Sequence, residues 1–386
     1  MNSVFGDIGA SVFEAMSRLA REHEAVNLGQ GFPDDPGPED VRAKAAEAVL
    51  NGWNQYPPML GLPELREAVA HHYRRFQGLE LDPGTEVMVT SGATEALAGA
   101  LLALIEPSDE VVLIQPMYDA YLPLVRRAGA IPKLVTLRPP RWTIEERELE
   151  AAFSDRTKVA LLNNPHNPVG VVHDKNALAL IGGYCLKHDA IAVCDEVWEH
   201  LTFDGRRHQS MMAIEGMRDR TVKIGSAGKI FSLTGWKVGF VCASPPILKT
   251  LGRAHQFITF TTPPNLQSAV AYGLMKNDDY FLSMRARFQR SRDRFAAGLA
   301  ELGFTVLPSE ATYFLGVDIA PLGWDDDALF CRWLVETHGV AAIPISAFYE
   351  TQAIRTVVRF CFAKSDATLD AALARLAQAA AAPAPC

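Results

Sequence analysis

The chain has 386 residues, more than one ordinary hydrophobic core accommodates, so two domains are expected. Hydrophobic residues make up 48% and charged residues 21%, which excludes a disordered or fibrous chain. A formal net charge of −8 argues against nucleic-acid or anionic-membrane partners, and no run of roughly 18 apolar residues is present to form a membrane span.

The first 26 residues lack a charged stretch followed by an apolar one, so no secretory signal is expected there. A helix is expected over 11–22, followed by the turn-rich NLGQGFPDDPGP (27–38). Strands are expected at EVMVT (86–90), EVVLIQ (110–115), KVALLN (158–163), AIAVCD (190–195), TVKIG (221–225) and VGFVCA (238–243). Between them lie helical patterns at 93–105, around YLPLVRRAG, and at 175–189 after an Asp174 cap. Continuous apolar strands alternating with helices imply an α/β fold with a mostly parallel sheet covered on both faces, a three-layer αβα arrangement.

From about residue 284 the pattern changes. A long basic amphipathic helix (RARFQRSRDRFAAGLAELG) precedes the alternating runs FTVLP, TYFLGVD and TVVRFCF and two more helices, DDALFCRWLVETHG and DATLDAALARLAQAAA. These describe a smaller α+β domain of residues 284–386, with 1–39 packed against it and 40–283 as the large domain. The tail AAAAPAPC reads as frayed.

The six cysteines (Cys185, Cys194, Cys242, Cys331, Cys361 and Cys386) form no CxxC pair, and most sit in apolar runs. They read as reduced, buried residues of a cytoplasmic protein. The ten histidines show no ligand spacing, so no metal site is expected.

In a parallel sheet the ligand binds beyond the carboxyl ends of the strands. Past EVMVT comes Ser91-Gly92-Ala93-Thr94, a glycine turn opening a helix, which suits a phosphate. Past EVVLIQ comes Tyr118, an aromatic face. NNPHNPVG follows the third run and offers Asn167 amide groups, with Asn167–Pro168 a candidate cis bond. Asp195 ends the fourth, where a buried carboxylate needs a cation or donor. Past TVKIG come Ser226 and Lys229. A phosphate cradle, a stacking ring, an amide, a buried carboxylate and a lysine together suit pyridoxal phosphate, whose aldehyde a lysine holds as a Schiff base.

With VNLGQGFP (26–33), NQYPPMLGLPELR (54–66), NNPHNPVG, CDEVWEHL, IGSAGKIFSLTGWKVG and TVVRFCFAK (356–364), the chain resembles the fold-type I pyridoxal-phosphate-dependent aminotransferases of classes I and II. NLGQGFPD, SAGKIFSLTGWKVG and RFCF are most similar to the subgroup of kynurenine, glutamine-phenylpyruvate and methionine aminotransferases.

The resemblance implies Lys229 as the reacting amine and Lys237 as a fixed cation on the phosphate, with Ser226, Ala93 and Thr94 supplying donors. It implies Asp195 at the pyridine nitrogen, Asn167 at the ring hydroxyl and Tyr118 stacked on the ring. Arg359, with the backbone at Gly29, would grip the substrate carboxylate by a bidentate pair. A homodimer is implied, in which Tyr56 reaches the neighbouring phosphate and Phe260 covers the substrate side chain from across the interface. Phe13 lies where kynurenine-type members carry a larger aromatic. The family reads DEVY where this chain has Trp198, whose indole cannot reproduce a phenol's position.

These residues imply ping-pong transfer from a neutral or aromatic L-amino acid of methionine, glutamine, phenylalanine or kynurenine type to a 2-oxo acid. A cysteine-S-conjugate β-lyase shares all these residues and differs in its products. A non-enzymatic regulatory module would need a DNA-binding extension and a basic surface.

Overall fold

In the computed structural model, residues 2–6 and 8–382 are described. Strand β1 (Val26–Asn27) lies in the amino-terminal segment. A seven-stranded sheet follows: β2 (Val87–Thr90), β3 (Glu110–Gln115), β4 (Ile131–Thr136), β5 (Thr157–Asn163), β6 (Ile191–Asp195), β7 (Thr221–Ser226) and β8 (Gly239–Cys242). The remaining strands are β9 (Thr305–Val306), β10 (Phe314–Asp318), β11 (Val340–Ala341), β12 (Ile343–Pro344) and β13 (Val357–Cys361).

The large sheet runs β2-β8-β7-β6-β5-β3-β4. It is parallel from β7 through β4, and only β8 runs against its neighbours. In β2 and β8, alternate residues feed two separate cores, as burial on both faces requires. Met88, Val241 and Ala243 pack with Ala96 and Leu97 of the helix Gly92–Leu104. Val87, Val89, Phe240 and Cys242 pack with Leu65 and Tyr73 of the helix Pro63–Gln77.

Sequence reasoning passed over β4 because Pro132 interrupts its run. The strand lies at the sheet edge, where a missing N–H is tolerated.

The second sheet is antiparallel, ordered β12-β13-β10-β9, with Gly316 opposite Arg359. Strand β1 pairs with β11, so the amino-terminal segment joins the carboxy-terminal part of the chain. The helix expected from about 284 begins earlier and spans Asp278–Glu301. Asp278 and Asp279 in its first turn suit the positive end of the dipole. Asp174 caps the helix Lys175–Lys187 as expected, whereas Ser11, expected as the first residue of a helix over 11–22, caps the helix Val12–Glu22.

The tail departs from expectation. The last helix continues through Ala381, with Ala379 buried, so the start of the run expected to fray is helical. Residues 383–386, including Cys386, lie outside the described residues. The other five cysteines are free and buried.

Candidate active site

The carboxyl ends of β2, β3, β5, β6 and β7 converge on a cavity of about 200 Å³. Gly92, Ala93, Thr94, Tyr118, Asn167, Asp195, Trp198, Ser226, Lys229 and Lys237 line it. Gly92 has φ +76, which opens the helix start toward the cavity. A Cβ there would press on Lys237 Cε at 3.2 Å, so the glycine lets the lysine lie across the turn. Lys237 Nζ reaches Thr94 Oγ1 at 3.5 Å.

Asp195 is buried at the end of β6. Burial raises its pKa, although Tyr121 donates to Oδ2 at 2.6 Å and Lys229 lies nearby. A carboxylate held this way favours a protonated partner in the cavity. Burial also pushes the Lys229 amine down to about 8, with Arg359 and Lys237 adding to the effect and Asp195 opposing it. That is the condition for a nucleophilic amine at neutral pH. Tyr118 stands edge-on to Tyr121 at 5.7 Å, and its hydroxyl pKa is pushed up to about 12 by burial.

Asn163 had no part in the sequence reading, yet it organises the loop. Its amide donates to the Asp195 carbonyl at 2.7 Å, and its Oδ1 accepts from the Asn167 N–H at 2.6 Å. The following Asn164–Pro165 and Asn167–Pro168 bonds are cis.

Arg359 is 1% exposed, on β13. Its Nη1 donates to Asn167 Oδ1 at 3.0 Å and its Nη2 to the Gly29 carbonyl at 3.1 Å. Its Nε has no partner. Burial draws the guanidinium pKa down to about 10. The guanidinium lies 3.8 Å from the Phe314 ring centroid and 5.2 Å from those of Phe13 and Phe348. A buried cation with an orphaned donor among aromatic rings has the chemistry to receive an anion. The Gly29 N–H, expected to help grip that anion, donates here to Asn27 Oδ1 at 3.0 Å.

Tyr56 and Phe260 do not line the cavity. They stand together on the surface, 80% and 39% exposed, with ring centroids 5.5 Å apart. Phe260 holds φ +66, an unusual conformation for a bulky residue. Trp198 is buried, edge-on to Tyr313 at 4.5 Å. Tyr121, Tyr313 and Phe348 escaped the sequence reading. Only Tyr121 left a local signal, three residues beyond Tyr118 and so on the same side of a helical turn.

The sequence model of the family described as "Aminotransferase class I and II" matches residues 23–376. This chain belongs to that family. The aminotransferase is similar over nearly its whole length to N-succinyldiaminopimelate aminotransferase from Mycobacterium tuberculosis. That solved structure is 43% identical with a TM-score of 0.95, covering 98% of this chain and 99% of the other. It is 39% identical over 371 residues to a methionine aminotransferase of Escherichia coli, covering 96% of each. It is 36% identical over 392 residues to kynurenine–oxoglutarate transaminase 3 of Rattus norvegicus, covering 94% of this chain and 86% of the relative. No helix among the described residues of the aminotransferase is long and apolar enough to cross a membrane.

Proposed function

We propose that this aminotransferase uses pyridoxal phosphate in the cavity around Lys229 and takes neutral or aromatic amino acids as donors. The observation that carries the reading is a cavity that holds a lysine of lowered pKa and, on its wall, Asn167 bonded to a buried, under-satisfied Arg359. The cavity's donor set fits the cofactor. Ala93, Thr94, Ser226 and Lys237 would hold the phosphate, Asp195 the ring nitrogen and Asn167 the ring hydroxyl. When bound, pyridoxal phosphate supplies an aldehyde for the amino group and a ring that withdraws electrons from the substrate Cα–H bond.

The chain's own residues do the rest. Arg359 binds the substrate α-carboxylate through its fork and so aims Cα at the cavity. Lys229 Nζ, partly unprotonated near neutral pH, accepts the Cα proton and returns it during transfer. Asp195, a carboxylate kept dry by burial, would keep a proton on the ring nitrogen it faces. Phe13, Phe314 and Phe348 around the guanidinium exclude water and offer apolar surface to the substrate side chain.

The exposed apolar surface of Leu50, Trp53, Tyr56 and Phe257 supports a homodimer, with Tyr56 and Phe260 given to the neighbouring site. Residues 1–39 and 284–386 form the smaller domain in this reading, the 40–283 region the larger, and the protein works in the cytoplasm. The β1–β11 pairing supports the grouping of the two termini.

Initial rates with methionine, kynurenine, phenylalanine, glutamine, N-succinyldiaminopimelate and aspartate, each with a 2-oxo acid, test the substrate reading. Higher kcat/KM for the neutral and aromatic donors supports it. A preference for aspartate or N-succinyldiaminopimelate overturns the donor class while leaving the cofactor assignment standing.

A further inference from the structure

Lys229 Nζ donates to the Tyr313 hydroxyl at 3.1 Å, and that hydroxyl donates in turn to the Gly31 carbonyl at 2.6 Å. Because the phenolic proton is engaged by Gly31, the oxygen presents its lone pairs to the amine. Tyr313 is 1% exposed, and its ring is fixed edge-on against Trp198 at 4.5 Å and Phe314 at 5.0 Å.

Position 198 is where the family motif carries a tyrosine. Here Lys229 Nζ lies 4.6 Å from an indole, whose only polar group is a donor and so cannot accept from an amine. The charged and titratable groups facing Lys229 are Asp195 on β6, Lys237 beyond β7, and Arg359 and Cys361 on β13.

We infer that Tyr313 is a positioning residue for the Lys229 amine, its hydroxyl oxygen holding Nζ in place and tying it to the loop at Gly31. The inference rests on the reading of Lys229 as the reacting amine. The same loop accepts from Arg359 through the Gly29 carbonyl. The carbonyls of Gly29 and Gly31, two positions apart, thus brace Arg359 and the amine. A Cβ on Gly31 would meet Phe314 Cζ at 2.8 Å, so the loop lies directly on the rings that fix Tyr313.

The test mixes cofactor-free protein with pyridoxal phosphate over a pH series. The capture rate is followed by visible absorbance, and borohydride reduction with peptide mapping fixes the site of attachment. Only the unprotonated amine attacks the aldehyde, so the midpoint reports Lys229. Removing an acceptor from the charged form lowers its pKa, so Tyr313→Phe is expected to move the midpoint down by about one unit. It is also expected to lower kcat about tenfold with little change in KM.

Adding Trp198→Tyr to Tyr313→Phe supplies a phenol oxygen beside the amine and returns the midpoint toward that of the parent. A midpoint unmoved by Tyr313→Phe overturns the inference. So does a shift that Trp198→Tyr leaves unreversed, since packing alone then accounts for it. A parent protein in which borohydride fixes no cofactor at residue 229 overturns the functional proposal itself, a separate outcome on the same peptide map.

Discussion

Arg359 Nη1 donates to Asn167 Oδ1 across 3.0 Å, joining the small antiparallel sheet to the loop that follows β5 of the large one. Through the Asn167 N–H, Asn163 and the Asp195 carbonyl, the connection continues to the buried carboxylate residue. The anion receptor and the cavity are therefore one hydrogen-bonded unit rather than two neighbouring features. Its geometry depends on a planar fork that can serve Asn167 and Gly29 at once and still face a carboxylate.

Arg359→Lys keeps the charge and loses the fork. Its kcat/KM for the preferred amino acid is expected to fall roughly 10- to 100-fold, the worth of one or two charge-assisted hydrogen bonds. Affinity for pyridoxal phosphate should stay near that of the parent. Steady-state kinetics and cofactor titration check the two halves separately.

Tyr121→Phe removes the donor at Asp195 Oδ2 and leaves a buried carboxylate oxygen short of a partner. The expected cost to folding stability is about 1–3 kcal/mol at neutral pH. Burial already raises the Asp195 pKa, and losing the donor raises it further. A group with a raised folded-state pKa gives stability that is present at low pH and lost as pH rises through that pKa. Melting curves should therefore place parent and variant close together in mild acid and apart near pH 7.

Lys237→Ala removes the cation poised over the Gly92 turn. Its Kd for pyridoxal phosphate is expected to rise at least about tenfold. Binding of pyridoxal, which lacks the phosphate, should change far less, through the small effect of Lys237 on the Lys229 amine alone. Parallel titrations with the two aldehydes distinguish this role from general damage to the cavity.

The exposed surface of Leu50, Trp53 and Phe257, each more than three-quarters accessible, is expected to be covered by a second copy of the chain. Trp53→Glu places a charge there and should shift the population toward monomer in sedimentation at micromolar concentration. If Tyr56 serves the neighbouring phosphate, the same variant also binds pyridoxal phosphate more weakly.

Much of this was legible because strand ends and motif residues coincide. Asp195, Ser226 and Asn167 sit at or just beyond buried runs whose direction the pattern fixes, so their meeting follows from a parallel sheet. Tyr313 and Asn163 were not legible. Tyr313 lies 84 positions from Lys229 in an alternating strand run, where an inward tyrosine reads as core. Asn163 reads as a turn residue, and its bonds become visible only once β5 and β6 are aligned in register.

The helices Pro63–Gln77, Pro245–Ile258 and Pro264–Leu274 were not among the expected elements, although each carries a proline in its first turn, a start signal present in the sequence. The clusters His72–Glu199–His200 and Glu196–Glu199–His208 lie within ligand reach of one another despite having no sequence spacing to mark them. Lys223 Nζ already sits among them, 2.5 Å from Glu196 and 2.9 Å from Glu199.

That lysine sharpens the central claim. Lys223 and Lys229 are neighbours in sequence and both lie within the fold, yet their surroundings act in opposite directions. Burial pulls the Lys223 pKa down, but Glu196 and Glu199 outweigh it and hold the ammonium above the ordinary lysine range. Burial of Lys229 is only partly offset by Asp195, and the amine stays near 8. Borohydride reduction of the protein loaded with pyridoxal phosphate, followed by peptide mapping, reads the difference directly. A single label on Lys229 and a colourless, unlabelled Lys229→Ala protein are expected. A label on Lys223 or any other lysine, or an unchanged visible band in Lys229→Ala, would contradict that claim.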